Sequence, residues 1–184
     1  MIALKRLTLF VSLELLFTMC NSWEPDYEHA HPNAKALMTD DFLWSPLEPS
    51  SPFGNDDGAD AVWQFYEWRK NNQNTRAKEF IPFLLTEWNY KTYDYTQVDT
   101  VAIKEFIVSG NIGDRLYMGI DDVIIATGFG QLIMEGKIDA DLKSLTLIAL
   151  NRQLLPISLS LVNEEYRNTR ESQLQRMIKI INAA

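Results

Sequence analysis

The clearest pattern in the chain is a cluster of polar turn-forming residues that runs directly into a helix with regularly spaced apolar residues. Asn55 or Asp56 can place a side-chain oxygen against the free N–H groups of a first helical turn. Asp57 and Asp60 follow near the positive end of the helix dipole, which favours carboxylates. We therefore predict a helix that ends near Asn72, in which these four polar residues serve the helix start.

The apolar positions of this helix predict its buried face. Four residues recur at helical spacing and two aromatic neighbours widen the stripe: Ala59, Val62, Trp63 and Tyr66, with Phe65 and Trp68. A stripe of this width indicates a helix that is buried on more than one side. The aromatic side chains are interpreted as core, and any part left facing solvent as a binding surface.

Two shorter helices are predicted in the middle of the chain. The first lies near Pro82 to Trp88, and the second runs from Val98 to Ser109 and ends at Gly110. Between them three tyrosines alternate with polar residues, as in an ordered loop or an edge strand: Tyr90, Tyr93 and Tyr95. We predict a loop there.

A strongly apolar stretch predicts a buried antiparallel pair of helices. Asp121 and Asp122 are expected to cap the first helix, Val123 to Met134. The second helix is expected to open at Asp139 or Asp141 and to stop at the next proline. Adjacent carboxylates at a helix start point in different directions, so we do not expect a paired acid/base site from them.

Glycines and a terminal apolar stripe complete the predicted core. Gly128 and Gly130 each cost a helix about 1 kcal/mol relative to alanine, so we expect them to mark close approach of neighbouring helices. The last helix is predicted to be amphipathic and to cover the core through Leu174, Met177, Ile178 and Ile181.

The segment before the first long helix is rich in proline and small polar residues. Residues 23–52 are therefore predicted to form an extended lead-in with one short helical turn after Asp41. Four apolar residues are expected to hold this lead-in against the domain: Phe42, Leu43, Trp44 and Leu47.

Together these patterns predict an all-α fold. The chain has 184 residues, of which 46% are hydrophobic, and this is enough for one domain with its own core. We predict a compact single-domain bundle of about five to seven helices over residues 53–184, preceded by the lead-in.

The first 22 residues have the layout of an export signal. A short basic start is followed by a mostly apolar segment that is too short to span a membrane and is interrupted by Glu14. Two kinds of processing stay open: cleavage before Trp23, or lipidation of Cys20 as the first residue of a lipoprotein. A cytoplasmic protein is the alternative to an exported one.

The charge of the chain limits its partners. The formal net charge is −8 and the sequence pI is about 4.8, which argues against nucleic acid or an anionic membrane surface as the main partner. A basic protein is the partner that this charge favours, and contact with a membrane is expected only through the signal or a lipid anchor. Cys20 is the only cysteine, so an intrachain disulfide is excluded.

Candidate chemistry in the chain is sparse. The clustered aspartates Asp56, Asp57 and Asp60 lack the spacing of a calcium loop. Their use by a metal-dependent hydrolase, together with Asp121 or Asp122, is kept as the alternative to a helix-start role.

The two histidines and the nucleophile motifs add little. His29 and His31 lie two residues apart and could hold zinc or copper only with ligands from elsewhere, so a loop role is favoured. The chain has no Gly-x-Ser-x-Gly elbow and no glycine-rich phosphate loop. We predict no catalytic residue, no cofactor and no metal site.

The stretch Phe53 to Val62 resembles the signature of an uncharacterised bacterial family, domain of unknown function 4259. The residues that carry the resemblance are Phe53, Asn55, Asp56, Asp57, Ala59 and Asp60. The chain departs from the family pattern at 48–52, where the family has Trp-Gly-x-Gly, and residues 73–96 look like an insertion. The resemblance implies a small all-helical domain and brings no established activity, cofactor or catalytic residue.

These observations lead to one main functional hypothesis and two alternatives. The main hypothesis is a non-enzymatic, exported interaction module, either immunity-like or a partner-binding protein of the cell envelope. The alternatives are the aspartate-based hydrolase and a structural lipoprotein anchored through Cys20.

Overall fold

A computed structural model describes residues 25–91 and 93–184 of the chain. Over these residues the backbone forms eight α-helices and three 3-10 turns, and no β-strand. The all-α prediction is confirmed. The predicted export signal and Cys20 lie outside the described residues.

The helices are α1 Pro32–Leu37, α2 Asp56–Asn71, α3 Phe80–Glu87, α4 Thr100–Ile107, α5 Gly113–Glu135, α6 Ala140–Gln153, α7 Pro156–Ser160 and α8 Arg167–Ala183. The 3-10 turns are Asp41–Trp44, Ala77–Glu79 and Glu164–Tyr166. Seven of these helices, α2 to α8, lie within residues 53–184, as predicted, and α1 lies in the lead-in. Helices α1 and α7 are short, and each begins at a proline. Proline is favoured at a first helical position, where no N–H donor is needed.

Helix α5 is the centre of the fold, and helices α1, α2, α3, α4 and α6 all pack against it. By length and composition alone its 23 residues are apolar enough to cross a membrane. However, 83% of its apolar 18-residue segment is buried inside the protein. A helix that is apolar on all sides is expected at the centre of a core. The neighbouring helices therefore account for its hydrophobicity.

Two glycines of α5 allow this close packing, as predicted. A Cβ atom at Gly128 would lie 2.3 Å from Thr146 Oγ1 of α6. A Cβ atom at Gly130 would lie 3.1 Å from Val62 Cγ2 of α2. Each glycine thus lies where a neighbouring helix leaves no ordinary space for a methyl group.

The start of α2 is as predicted, and its buried face is as predicted in part. Asn55 is the N-cap, and its side chain accepts a hydrogen bond from the Gly58 N–H at 2.9 Å. The apolar residues buried on α2 are Ala61, Val62 and Phe65. Ala59 and Trp63 are exposed instead, because α5 packs along the side of α2 that carries Val62 and Phe65.

The predicted capping role of Asp121 and Asp122 is wrong. Helix α5 begins at Gly113, so both aspartates lie inside the helix. The residues from Gly113 to Ile120 form the first turns of α5. Pro156 was also expected to act only as a stop, and it begins α7.

The lead-in is more ordered than predicted. Within it, α1 packs on α5, and the His31 N–H donates to the Ile133 carbonyl at 2.8 Å. Leu43 is fully buried, as expected, whereas Leu47 is 88% exposed and does not hold the segment down.

Helix α8 closes the bundle and contacts the lead-in. Its predicted apolar stripe is confirmed at Leu174, Met177 and Ile181, which are buried. The Tyr166 hydroxyl, just before α8, lies 2.9 Å from Ser50 Oγ. The last part of the lead-in therefore contacts the segment that precedes α8.

Candidate functional site

Two parts of the molecule collect chemically useful side chains: a buried set of ion pairs and an open aromatic pocket. The buried set, here called the Asp/Arg cluster, consists of Asp57, Asp121, Asp122, Arg115, Arg152 and Arg170. Helices α2, α5, α6 and α8 contribute its members.

The innermost pair is Asp121 with Arg152, and both side chains are almost completely removed from water. Burial raises the pKa of Asp121 to about 7, and the guanidinium of Arg152 opposes this rise. Arg152 also donates to the backbone carbonyls of Tyr95 and, at 3.3 Å, of Gln97. The pair therefore fixes the loop before α4 as well as joining α5 to α6.

The second pair is looser and contains an amide. Gln153 donates from Nε2 to Asp122 Oδ1 at 3.0 Å, while Arg170 lies 3.9 Å from the same oxygen. Arg170 also donates to the Gln153 side-chain oxygen and, at 3.4 Å, to the Pro49 carbonyl. Burial raises the pKa of Asp122, and Arg170 opposes the rise.

The third pair lies at the edge of the cluster. Arg115 pairs with Asp57, with Nη2 at 3.0 Å from Oδ1, and the Tyr90 hydroxyl donates to that oxygen at 2.7 Å. Burial, followed by the contact with Asp57, raises the pKa of Tyr90 to about 12. The ion pair of Asp57 with Arg115 is not predicted from the sequence, because the two residues are 58 positions apart.

The Asp/Arg cluster is therefore arranged to hold helices together. Each of its carboxylates faces a guanidinium, and the Asp121–Arg152 pair at its centre is at most 1% exposed. Among the residues that the structure describes, no group of three or more His, Cys, Asp or Glu side chains is arranged to hold a metal ion. The other predicted aspartates, Asp56 and Asp60, are exposed on α2 and lie outside the cluster.

The two histidines take local roles. His29 Nδ1 lies 2.8 Å from Asp26 Oδ2, and this contact raises the pKa of His29. His31 precedes α1 as its N-cap, where Nδ1 lies 3.1 Å from the backbone nitrogen of Asn33. Both interactions are made within the lead-in, as a loop role requires.

The open pocket lies between the lead-in and α2, and we call it the lead-in pocket. It is lined by Pro25, Asp26, Tyr27, Trp44, Pro46, Phe53, Ala59, Asp60, Val62 and Trp63. Its volume is about 620 Å³, which is within the range of known ligand pockets. Three members of the resemblance motif line it, namely Phe53, Ala59 and Asp60.

The lining combines aromatic rings with acidic groups. Tyr27 and Trp44 meet edge to face with ring centroids 5.5 Å apart. Trp63 is 44% exposed, an unusual state for so large a ring. The charged residues of the lining, Asp26 and Asp60, are both acidic. Such a pocket can bind an apolar group and a positive charge together.

One feature of this pocket is visible in the sequence. The aromatic stripe of α2 predicts a core position for Trp63 or a solvent-facing aromatic surface, and the second alternative describes its position. No sequence pattern places Tyr27 and Trp44 next to Trp63, because the lead-in has no regular spacing that predicts where it packs.

Comparison with known proteins gives one distant relative. The chain is 28% identical over 127 residues to the uncharacterised protein YfeS of Escherichia coli strain K12. The chain resembles an uncharacterised bacterial protein. The match covers 68% of this chain and 51% of YfeS, so the chain spans about half the length of this relative. No family model and no solved structure matches the chain.

Proposed function

We propose that the protein is a non-enzymatic interaction module that binds a basic protein partner through the lead-in pocket. The observation that carries this proposal is the combination of exposed aromatic rings with acidic residues in one cavity, at Tyr27, Trp63, Asp26 and Asp60. Aromatic side chains are enriched at the centres of protein interfaces, where they supply large contact areas.

The net charge supports the same kind of partner. A formal charge of −8 attracts a basic protein over a distance of several ångströms and speeds the encounter. The buried carboxylates contribute little to specific recognition, because each is already paired within the Asp/Arg cluster. The exposed Asp60 is the acidic group best placed to contact a partner at the pocket.

Site-specific photo-crosslinking in the native host tests this proposal. A photo-reactive phenylalanine derivative replaces Trp63 in one variant and Phe83 in the matched control, since the two side chains are 44% and 46% exposed. We expect one basic protein to be crosslinked from position 63 and not from position 83. The partner is then purified, and its affinity for the wild type and for Trp63→Ala is measured by calorimetry.

The expected result is a complex that weakens with added salt and loses at least about tenfold in affinity on Trp63→Ala. A partner whose affinity is unchanged by Trp63→Ala, or the absence of any crosslink specific to position 63, contradicts the proposal. An immunity-like protein and a partner-binding protein of the cell envelope are the two forms of this function that we favour.

We further propose that the protein is exported. The basic and apolar start of residues 1–22 supports this, and Cys20 offers lipidation as the alternative to simple cleavage before Trp23. Mass spectrometry of the mature N-terminus distinguishes the two: a chain that starts at Trp23 indicates cleavage, and a lipid-bearing Cys20 indicates a lipoprotein. An intact Met1 on the mature protein contradicts export.

We also propose that the chain is a divergent member of the family domain of unknown function 4259. The Phe53 to Val62 motif supports this. A solved structure of a family member is expected to show the motif asparagine as the cap of a helix equivalent to α2. It is also expected to show the motif phenylalanine and the alanine-aspartate pair beside a pocket. A motif that forms a different element in that structure refutes the assignment.

A further inference from the structure

We propose that the lead-in pocket accepts an arginine side chain of the basic partner. The inference rests on the proposed function, since it names the group that the partner inserts. It follows from three features of the pocket: its aromatic rings, its acidic residues, and its position at the surface.

The aromatic rings select a cation that can stack. Trp44 and Trp63 both line the cavity, and tryptophan binds cations over its ring face more strongly than the other aromatic residues. The third ring, Tyr27, already has the Lys35 ammonium 5.3 Å from its centroid. That ammonium also donates to the Glu28 carbonyl at 2.7 Å. Among the described residues, neither Trp44 nor Trp63 has a cation over its ring.

The acidic residues select for positive charge. Asp60 is exposed and forms no hydrogen bond or ion pair within residues 25–91 and 93–184. Asp26 lines the same cavity. Its Oδ1 accepts a hydrogen bond from the His29 backbone N–H at 2.7 Å, and its Oδ2 lies 2.8 Å from His29 Nδ1. A cation in the pocket therefore meets one carboxylate without a partner and a second one nearby.

Arginine fits these features better than lysine. The guanidinium group is planar, stacks on aromatic faces and pairs with carboxylates in a bidentate manner. It is also more weakly hydrated than an ammonium group, which reduces the cost of entering a half-open aromatic cavity. Trp63 is 44% exposed, so the pocket is open to a side chain that arrives from a partner surface.

Titration of the protein with capped pentapeptides tests the inference. The central residue is arginine in the first peptide, citrulline in the second and lysine in the third, because citrulline is the neutral isostere of arginine. Binding is followed through the indole N–H signals of Trp44 and Trp63 in two-dimensional NMR spectra, with assignment by single Trp→Phe variants.

We expect the arginine peptide to shift both indole signals in a saturable way. The citrulline peptide is expected to bind at least about tenfold more weakly, and the lysine peptide to lie between them. Asp60→Asn is expected to weaken arginine binding about three- to tenfold. The matched control is Asp56→Asn, which changes an exposed aspartate of the same helix that does not line the pocket.

Three results overturn the inference: equal binding of arginine and citrulline, equal binding of arginine and lysine, or no shift of Trp44 and Trp63 with any peptide. Because Asp60 is exposed and unpaired among the described residues, Asp60→Asn is expected to keep the fold, which the NMR spectrum itself reports. Failure here leaves the proposed function testable, since crosslinking from position 63 requires a partner but not an arginine. Failure of the crosslinking test with intact arginine selectivity refutes the proposed protein partner instead.

Discussion

Asp121 and Arg152 form an ion pair whose side chains are at most 1% exposed. Removing two charges from water is costly, and their attraction offsets this cost only if each keeps its partner. Burial has already raised the pKa of Asp121 to about 7, and Arg152 holds it from rising further. Arg152 is therefore the residue on which the charge state of the core depends most directly.

We predict that Arg152→Met destabilises the protein more at pH 8 than at pH 5. The unfolded Asp121 titrates near 4, and without Arg152 its pKa in the folded protein rises further above that value. When a carboxyl has a higher pKa in the folded protein than in the unfolded chain, the folded protein becomes less stable as the pH rises through the folded-state pKa. We expect a loss of about 3 kcal/mol at pH 8 and a smaller one at pH 5, where Asp121 takes up a proton. Urea unfolding at the two pH values measures the difference.

A half-exposed ion pair provides the control. Arg176 pairs with Asp40, and the two side chains are 40% and 42% exposed. Arg176→Met is expected to cost less than about 1 kcal/mol and to cost the same at both pH values. The carbonyls of Tyr95 and Gln97 lose a donor in Arg152→Met at either pH. Equal losses of stability at pH 5 and pH 8 would therefore mean that Arg152→Met acts only through these hydrogen bonds. The charge of Asp121 would then make no contribution.

At the scale of whole helices, the crossing of α5 and α6 depends on one small residue. Gly128 of α5 faces Thr146 of α6, whose Oγ1 donates to the Leu142 carbonyl at 2.9 Å. In an open helix, Gly→Ala is favourable by about 1 kcal/mol. Here the added methyl group would meet Thr146 Oγ1 at 2.3 Å and Cγ2 at 2.9 Å, so overpacking outweighs that gain.

We predict that Gly128→Ala destabilises the protein by about 1 to 3 kcal/mol. In a Thr146→Ala background the two closest atoms are absent, and the same change is expected to be neutral or stabilising. A double-mutant cycle of unfolding free energies measures this coupling. Gly130→Ala is the control with milder contacts, since its nearest atom is 3.1 Å away. Additive effects at positions 128 and 146 would rule out the steric explanation.

Helices were predictable where their limits have a local chemical cause. Asn55 caps α2 through its own side chain, so the start of α2 is visible in the sequence. The start of α5 is not, because the Ile112 N-cap has no side-chain capping bond. The buried face of α2 was predicted only in part for another reason. Its apolar residues cover more of the helix than one buried side, and packing against α5 buries Val62 and Phe65 and leaves Ala59 and Trp63 exposed.

At the scale of the whole molecule, the candidate site depends on contacts between distant segments. The lead-in pocket has walls from 25–53 and from α2, and helical periodicity carries no information about how an irregular segment packs. The Asp/Arg cluster also joins distant segments. Asp121 and Arg152 are 31 residues apart in the sequence, and Asp57 and Arg115 are 58 residues apart. The sequence predicts the helices well, and it predicts poorly what they bring together.

The lead-in is held in place by the C-terminal part of the chain. The Tyr166 hydroxyl lies 2.9 Å from Ser50 Oγ and 3.1 Å from Gln173 Oε1. Ser50 and Ser51 are buried, and the adjoining Phe53 forms a wall of the lead-in pocket. The contact from Tyr166 therefore holds the turn that leads into Phe53 at one side of the candidate site.

We predict that Tyr166→Phe loosens this part of the lead-in while leaving the core intact. Loss of one neutral hydrogen bond weakens the local structure by about 1 kcal/mol, which corresponds to about fivefold faster local opening. Hydrogen exchange should accelerate at the amides of Ser51, Phe53 and Gly54, which are bonded within this turn. Amides in the middle of α5 should keep their protection, because that helix is covered by its neighbours.

The matched control is Tyr95→Phe. The Tyr95 hydroxyl makes no hydrogen bond among the residues that the structure describes. Arg152 contacts the backbone carbonyl of residue 95, which the substitution keeps. This variant should leave exchange at 51–54 unchanged. If Tyr166→Phe also weakens binding of the arginine peptide, the C-terminal part of the chain helps to shape the pocket. Unchanged exchange at 51–54 in Tyr166→Phe would instead show that the lead-in is held by Leu43 and its apolar neighbours, and that the Tyr166 contact contributes nothing to the candidate site.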